Sequence, residues 1–333
     1  MPIYESLSSD KLTVVLDIGA AYTKFGFTGE FAPRTIIKSV VRCKKTGRLR
    51  KIWDYESPED LYDLLVLFSH YEISMMLTLP SHLITLASIA IDTALVVDIG
   101  YKESVVIPVC HGLPLIQAWQ ALPLGAEAIH SKLKTMLSSN NTGIQNLSED
   151  IMEDIKVRCC FVTEKHRAEQ LALVKPEITA CPNVKYPVGG TDSINISGKV
   201  RERAFEILYE EDNDHLCLST MILDAIMQVD INLRHKLSEN LVLIGGTTMT
   251  QGFRARLKEE LEYQLKSERY SKLHLKKFAF HTLPCKENYA AWLGGAIYGA
   301  TELLNMKAVT KENYFKENKL PDWVHLREGI RSL

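Results

Sequence analysis

The chain has 333 residues, 46% of them hydrophobic and 24% charged, which is enough for a real core and, on length, for two domains. A net charge of −2 excludes a global cationic surface for nucleic acid or an anionic membrane, and the opening MPIYESLSSDKL has no apolar run of the signal-peptide kind. Seven scattered cysteines, at 43, 110, 159, 160, 181, 217 and 285, form no C-x-x-C pair and fit buried thiols in a reducing cytosol.

Leu12–Leu16 is read as a strand, Asp17–Ala21 as a turn, Tyr22–Thr28 as a second strand and Arg34–Val41 as a third. CKKTGRLRK (43–51) reads as a basic hairpin tip around Thr46-Gly47, with Arg42, Lys44, Lys45, Arg48, Arg50 and Lys51 crowded on it. Such a tip is either solvated or a dock for an acidic partner. Ser57-Pro58-Glu59-Asp60 caps a short helix. Residues 73–91 carry no full charge, but Pro80, Ser81 and His82 split them into a buried strand (Ile73–Leu79) and a buried helix, so they are not read as a membrane span. Strands are expected at 94–98 and 104–110, a helix at Leu124–Leu137 and a loop at 138–143. Farther on come a helix at Asp150–Phe161, loop with strand fragments at 175–193, and helices at Val200–Tyr209 and Ser219–Met227, with an acidic loop at 210–214. Leu241–Ile244 reads as a strand, Gly245–Thr248 as a turn, Gln251–Leu265 as an amphipathic helix, Phe278–Leu283 as a strand and Tyr289–Thr301 as a helix of small residues. Phe253, Leu257, Leu261 and Leu265 are read as core-facing, with a partner face as the alternative. The alternation says α/β with two sheets.

Two stretches nearly repeat each other: VVLDIG at 14–19 and LVVDIG at 95–100, 81 positions apart. In a strand–Asp-x-Gly–strand unit the glycine admits close backbone approach, and the turn aims successive N–H groups into one concavity suited to phosphate oxygens. An aspartate at the strand end can hold water around a phosphate-bound Mg²⁺. One such turn is a weak signal, but two suggest a clamp on a polyphosphate. A third element, LVLIGGTTMTQGFRARL (241–257), runs a strand into Gly-Gly and then a helix, which suits a nucleoside and an anion.

The chain resembles actin and the actin-related proteins over nearly its full length. The carrying stretches are VVLDIGAAYTKFGFTGEFAPR (14–34), LVVDIGYKESVVIPVCHGLPL (95–115), EDIKVRCCFV (153–162), LIGGTTMTQGF (243–253), YAAWLGGAIYGA (289–300) and VTKENY (309–314). MPIYESL, LPLGAEAIH (122–130) and LPDWVHL (320–326) resemble the branch, numbered ten or eleven among the actin-related proteins, that belongs to the pointed-end complex of dynactin. The resemblance implies an α/β actin-like ATPase fold of two lobes, each built on a ribonuclease-H-like mixed sheet flanked by helices. It implies an N-terminal lobe of residues 1–90 plus 290–333, with a reduced second subdomain at about 39–56. It implies a C-terminal lobe of 91–289, with a subdomain-4-like insertion at about 126–213.

ATP or ADP, with Mg²⁺, is then expected between matching phosphate loops. The matching positions are Asp17, Gly19, Ala20, Ala21 and Lys24 in the first loop and Asp98 and Gly100 in the second. Lys156 and Gly245, Gly246, Thr247, Thr248 and Met249 match the nucleoside side, although Glu153 and Val157 replace residues that usually contact adenosine. Lys24 is expected at the β-phosphate, and Asp17 and Asp98 at the metal through water. The hydrolytic side departs from the family: Ala20-Ala21 replaces a hydroxyl and a glycine, and Tyr101, Lys102 and Glu103 replace an acid and small residues. Ser81 falls at the water-positioning glutamine, with His82 beside it. Loss of a positioned general base removes about 10²–10⁴-fold of rate, so no catalytic residue is assigned and the protein is expected not to be an enzyme.

By the same resemblance the expected role is to cap the pointed end of the actin-related protein 1 filament of dynactin. The partners are that filament and the pointed-end subunits, within a large cytoplasmic, cytoskeletal hetero-complex serving microtubule transport, with no nucleic acid and no membrane insertion. The docking face is expected near Leu113–Ile116 and the helix at 289–304. A nuclear chromatin-complex member and a low-activity ATPase of the same fold are the alternatives. A family strand has no counterpart between Leu64 and Leu67, which shortens the first lobe.

Overall fold

A computed structural model describes residues 13–42, 46–52, 73–140, 147–173, 178–189 and 192–317. The chain divides into two compact units, Met1–Ala90 with Tyr289–Leu333, and Ile91–Asn288.

The first unit opens with β1 (Val14–Ile18), β2 (Tyr22–Phe27) and β3 (Thr35–Lys38), an antiparallel sheet in the order β1-β2-β3. The register pairs Asp17 with Lys24. Asp17 therefore lies inside the strand, not in the turn expected at Asp17–Ala21. The strand expected across Arg34–Val41 is broken at Ser39, after which β4 (Val40–Arg42) and β5 (Leu49–Lys51) form a separate hairpin. Gly47 turns that hairpin at φ 69°, a conformation glycine adopts without strain. The helix start expected at 57–60 and the junction at Leu64–Leu67 lie outside the described residues. The strand expected at Ile73–Leu79 is reduced to β6 (Met75–Met76), and α1 (Ser81–Ala87) follows directly after Pro80.

The second unit is built on β7 (Ala94–Ile99) and β8 (Ser104–Cys110), an antiparallel pair of β-branched strands. The short strands β9 (Leu113–Pro114) and β10 (Gln120–Leu122) pair with β8. Next come α2 (Ala126–Asn140), longer than expected by one turn at its C-terminus, and α3 (Glu149–Cys159), capped by Ser148. A helix not read from the sequence, α4 (Lys165–Ala172), precedes the hairpin of β11 (Val184–Gly189) and β12 (Asp192–Ile196). Where one helix was expected at Val200–Tyr209 there is α5 (Gly198–Arg203) and a 3₁₀ turn at Glu206–Leu208. The apolar α6 (Leu218–Gln228) and the unforeseen α7 (Ile231–Ser238) lead to β13 (Leu241–Ile244).

β13 pairs parallel with β7, which gives a mixed sheet in the order β10-β8-β7-β13. Residues 94–97 and 99 of β7 and all of β13 are buried. The helix α8 (Phe253–Gln264) buries Phe253, Leu257 and Leu261 in the core, so that apolar stripe is not a partner face. The strand expected at Phe278–Leu283 is absent. In its place a single parallel bridge joins Phe280 to Leu241, with Leu241 N donating to Ala279 O at 2.9 Å and His281 N to Leu241 O at 2.8 Å.

The chain returns to the first unit through α9 (Ala290–Gly299), α10 (Leu303–Lys307), β14 (Val309–Thr310), which pairs with β6, and α11 (Lys311–Glu317). Trp292 is the anchor: its ring is buried, and Nε1 donates to Val15 O at 3.1 Å. A Cβ on Gly294 would stand 2.0 Å from Ile84 O, so α1 and α9 touch at a distance only glycine allows. The described strands of this unit supply only antiparallel pairing. On the far side of β1, no strand lies among the described residues.

Candidate functional site

The two Asp-x-Gly turns have the same geometry. In the first, Gly19 N donates to Tyr22 O at 3.1 Å, and in the second Gly100 N donates to Glu103 O at 3.0 Å. Each closes a two-residue turn, with the aspartate two residues before its glycine paired across to Lys24 or to Val105. The repeated sequence thus makes a repeated hairpin.

The braces behind the two turns differ. In the first unit the buried Ser39 donates from Oγ to Gly19 O at 2.6 Å and from its backbone N to Ala21 O at 2.8 Å. The N–H groups of Ala20 and Ala21 are left without a chain partner among the described residues. Lys24 Nζ lies 3.0 Å from Asp17 Oδ2, so the two residues assigned to phosphate and metal are an ion pair. In the second unit, Gly100 O and Tyr101 O accept the N–H groups of Ala126 and Glu127, and Ser104 Oγ donates to Leu124 O. Here the turn is braced by the start of α2. Tyr101 is fixed as well: its hydroxyl donates to Glu149 Oε2 at 3.1 Å and its ring meets His130 edge-on at 5.9 Å.

Parallel pairing sets Ile244 beside Asp98, and the chain then turns at Gly245 with φ 96°. A Cβ there would fall 2.3 Å from Ile99 O and 2.8 Å from Asp98 Oδ1, so only glycine lets the two loops approach. The second-unit residues Asp98, Gly100 and Gly245–Met249 therefore gather at the C-terminal ends of adjacent parallel strands, where open α/β sheets bind ligands. Thr248 Oγ1 donates to Gly245 O at 2.8 Å and stiffens the loop. Gly246 faces open space, its nearest neighbour being Asn288 Cβ at 4.0 Å. Thr247 Oγ1 and Asn288 Oδ1 are buried with no hydrogen-bond partner among the described residues. Unpaired buried polar atoms are costly, and a nucleoside, with ring nitrogens and hydroxyls, is a group that can satisfy them. The residues present thus fit the expected nucleoside.

Lys156, on α3, is buried and gives Nζ to Glu153 Oε2 at 2.6 Å, while His130 Nε2 stands 3.0 Å from the same oxygen. Burial works to raise the Glu153 carboxyl, but His130 and Lys156 outweigh it and hold it at about 2. The lysine expected on the base side is therefore paired with Glu153, the residue read as a departure from the resemblance. Burial pushes the Cys160 thiol up to about 12, which fits the reading of Cys159 and Cys160 as core thiols.

Ser81 and His82 begin α1 in the first unit, with Ser81 Oγ 3.2 Å from His82 Nδ1. Ser39, Asn288 and Glu149 were not legible as site residues. Ser39 is a lone serine between apolar strands, and the other two act only through tertiary neighbours. A cavity of about 430 Å³ beside the Gly245–Met249 loop is walled by Thr248, Thr250, Phe253, Arg254, Lys258 and Phe280. Both of its cations already have carboxylate partners, Glu287 and Glu262. No group of three or more metal-ligating side chains occurs among the described residues, and no described helix is long and apolar enough to cross a membrane.

The family model described as Actin matches residues 62–148 and 145–328. The protein named Actin-related protein 10 of Dictyostelium discoideum is 28% identical over 316 residues, 78% of this chain and 65% of that one. Actin-like protein 9 of Bos taurus is 28% identical over 67% of this chain and 51% of its own length. Actin-like protein 7A of Mus musculus is 24% identical over 90% and 81%. The chain spans about half to two thirds of the length of the first of these curated relatives. With the repeated turns and the mixed sheet in place, the matches make the chain a member of the actin family.

Proposed function

We propose that this chain is a structural actin-family subunit that holds an adenine nucleotide without turning it over, and that it works as the pointed-end actin-related subunit of dynactin. The observation that carries the non-hydrolysing part is the second turn. Where the family places an acid, Tyr101 is tied to Glu149 and packed on His130, so no carboxylate at that position can order an attacking water.

Gly245–Met249 and Lys156 would hold the nucleoside, the Gly19–Ala21 and Gly100 turns the phosphates, and Asp17 and Asp98 the water around Mg²⁺. The bound nucleotide supplies stability by mass action, about 2.7 kcal/mol at a hundredfold excess over Kd. Similarity to a protein named Actin-related protein 10 supports the assembly role, as does the small β4–β5 hairpin in place of a full second subdomain. Filter binding with labelled ATP beside a phosphate-release assay tests the first part; steady phosphate release from the pure monomer would refute it. Affinity purification from cytosol tests the second, with dynactin subunits expected and chromatin remodellers as the overturning result.

A further inference from the structure

From Arg269 to Lys286 the second unit carries five Lys or Arg residues, two His and no Asp or Glu, in a chain with 41 acids and 39 bases. The stretch is anchored at two points. Buried Tyr270 donates its hydroxyl to Asp224 Oδ1 at 2.8 Å. Ala279 N donates to Ser238 O at 3.0 Å, and Ala279 O accepts Leu241 N at 2.9 Å. Between these anchors burial alternates: Leu273, Leu275 and Phe278 lie in the core, while Lys272, His274 and Lys276 are exposed. The chain leaves a 3₁₀ turn (Glu268–Leu273) through His274, in left-handed backbone at φ 49°. A loop fixed by three core side chains loses little freedom when its exposed row is bound.

Two neighbouring cations are engaged, Arg269 with Asp224 at 2.6 Å and Lys277 with Glu239 at 3.6 Å. Lys272, His274 and Lys276 meet no carboxylate among the described residues. By contrast Lys258 meets Glu262, and Arg158 meets Asp154. Negative charge reaches such a row on a nucleic acid, a lipid surface or a protein. Tyr270 and Phe278 are 1% and 3% exposed, so apart from the His274 imidazole the row offers no ring for a base to stack on. Leu273 and Leu275 are buried, so it offers no apolar side chain to a bilayer. A net charge of −2 gives a polyanion no long-range attraction. Short-range pairing with carboxylates is the chemistry that remains.

We propose that Lys272, His274 and Lys276 form a docking row for a short acidic segment of a partner protein. The two ammonium groups meet its carboxylates, and the His274 ring adds an N–H donor. The row serves this role whatever the nucleotide site holds.

The test is fluorescence anisotropy on the full chain with labelled probes of equal length: a Glu-Asp-Ser repeat peptide, a Gln-Asn-Ser repeat peptide and an oligo-dT. Cosedimentation with phosphatidylserine-containing vesicles runs beside it. The acidic peptide is expected to bind at least about tenfold more tightly than the other two probes, with affinity falling as salt screens the charges, and the vesicles to retain no protein. Lys272→Glu with Lys276→Glu is expected to weaken peptide binding by at least about tenfold. Lys134→Glu with Lys199→Glu, the same charge change at exposed sites elsewhere on the unit, is expected to leave it within about twofold. His274→Gly accepts the left-handed backbone without strain, so it spares the fold and is expected to weaken binding about threefold. Absence of peptide binding, equal binding of the uncharged peptide or oligo-dT, or retention of the chain on the vesicles each overturns the proposal. So does unchanged binding by the Lys272/Lys276 or His274 variant, or an equal loss in the Lys134/Lys199 variant.

Discussion

The β1–β2 and β7–β8 hairpins are the same device in two different settings. Residues 14–18 and 95–99 share a sequence pattern, a register and a turn bond. Yet the outward residues of β1 stay open, Val14 at 47%, Leu16 at 44% and Ile18 at 38% exposure, whereas Leu95, Val97 and Ile99 are fully buried. The difference is one neighbour. β7 has β13 parallel on its second edge and helices packed over it, while among the described residues β1 ends its sheet. In β1 the alternate groups of Thr13 and Gly19 are bonded across to Thr28 and Tyr22, so the backbone groups of Val14, Leu16 and Ile18 face the open side. A hairpin therefore sets its own register, but its neighbours decide whether it becomes core.

The largest expected effect tests that contrast directly. Val97→Lys buries an ammonium in a dry sheet and is expected to cost about 4 kcal/mol or more, seen as loss of the cooperative urea transition of the second unit. The matching change Leu16→Lys is expected to alter stability by no more than about 0.5 kcal/mol. Equal losses at the two positions would erase the contrast.

Next in size is Gly245→Val. It forces a β-branched residue to φ 96° and drives a Cβ into Ile99 O, at an expected cost of about 3 kcal/mol in urea unfolding. Gly29→Val, at φ 82° but with nothing within 4 Å, is expected to cost markedly less.

Acid titration should separate the units further. The folded Glu153 carboxyl is lowered from 4.5 to about 2, so its stabilisation is complete above about pH 5 and is lost as pH falls toward 2. The urea midpoint of the second unit is expected to drop across that window, and Glu153→Gln to flatten the dependence. A pH profile identical in the variant would remove Glu153 from the account.

The smallest effect concerns solution behaviour. A lysine at Leu16 blunts a strand edge that is open among the described residues, so concentration-dependent light scattering should fall with no change in unfolding.

Much of the second unit was readable because its signals are local. Ser104–Cys110 and Leu241–Ile244 are short β-branched runs bounded by turns, and both were placed to the residue. The helix at Ile231–Ser238 was missed because only Ile231, Leu233 and Leu237 of its eight residues are apolar, too few for a face. Phe278–Leu283 looked like a strand, but its backbone pairing with β13 stops at the one bridge between Phe280 and Leu241. In the candidate site the glycines announced themselves. The Lys24–Asp17 pair was not foreseen, because Asp17 was read into the turn and not into β1, and Ser39 and Asn288 carried no signal.

By itself the sequence determined the two Asp-x-Gly hairpins, the Gly-Gly loop and membership in the actin family, because a two-residue turn and a β-branched strand need only their own neighbours along the chain. Only the tertiary structure decided which strand β13 pairs with, that Ser39 braces the first turn and α2 the second, and that His130 joins Lys156 at the Glu153 carboxylate. Those outcomes depend on which distant backbone or carboxylate comes within about 3 Å, and no local pattern encodes that.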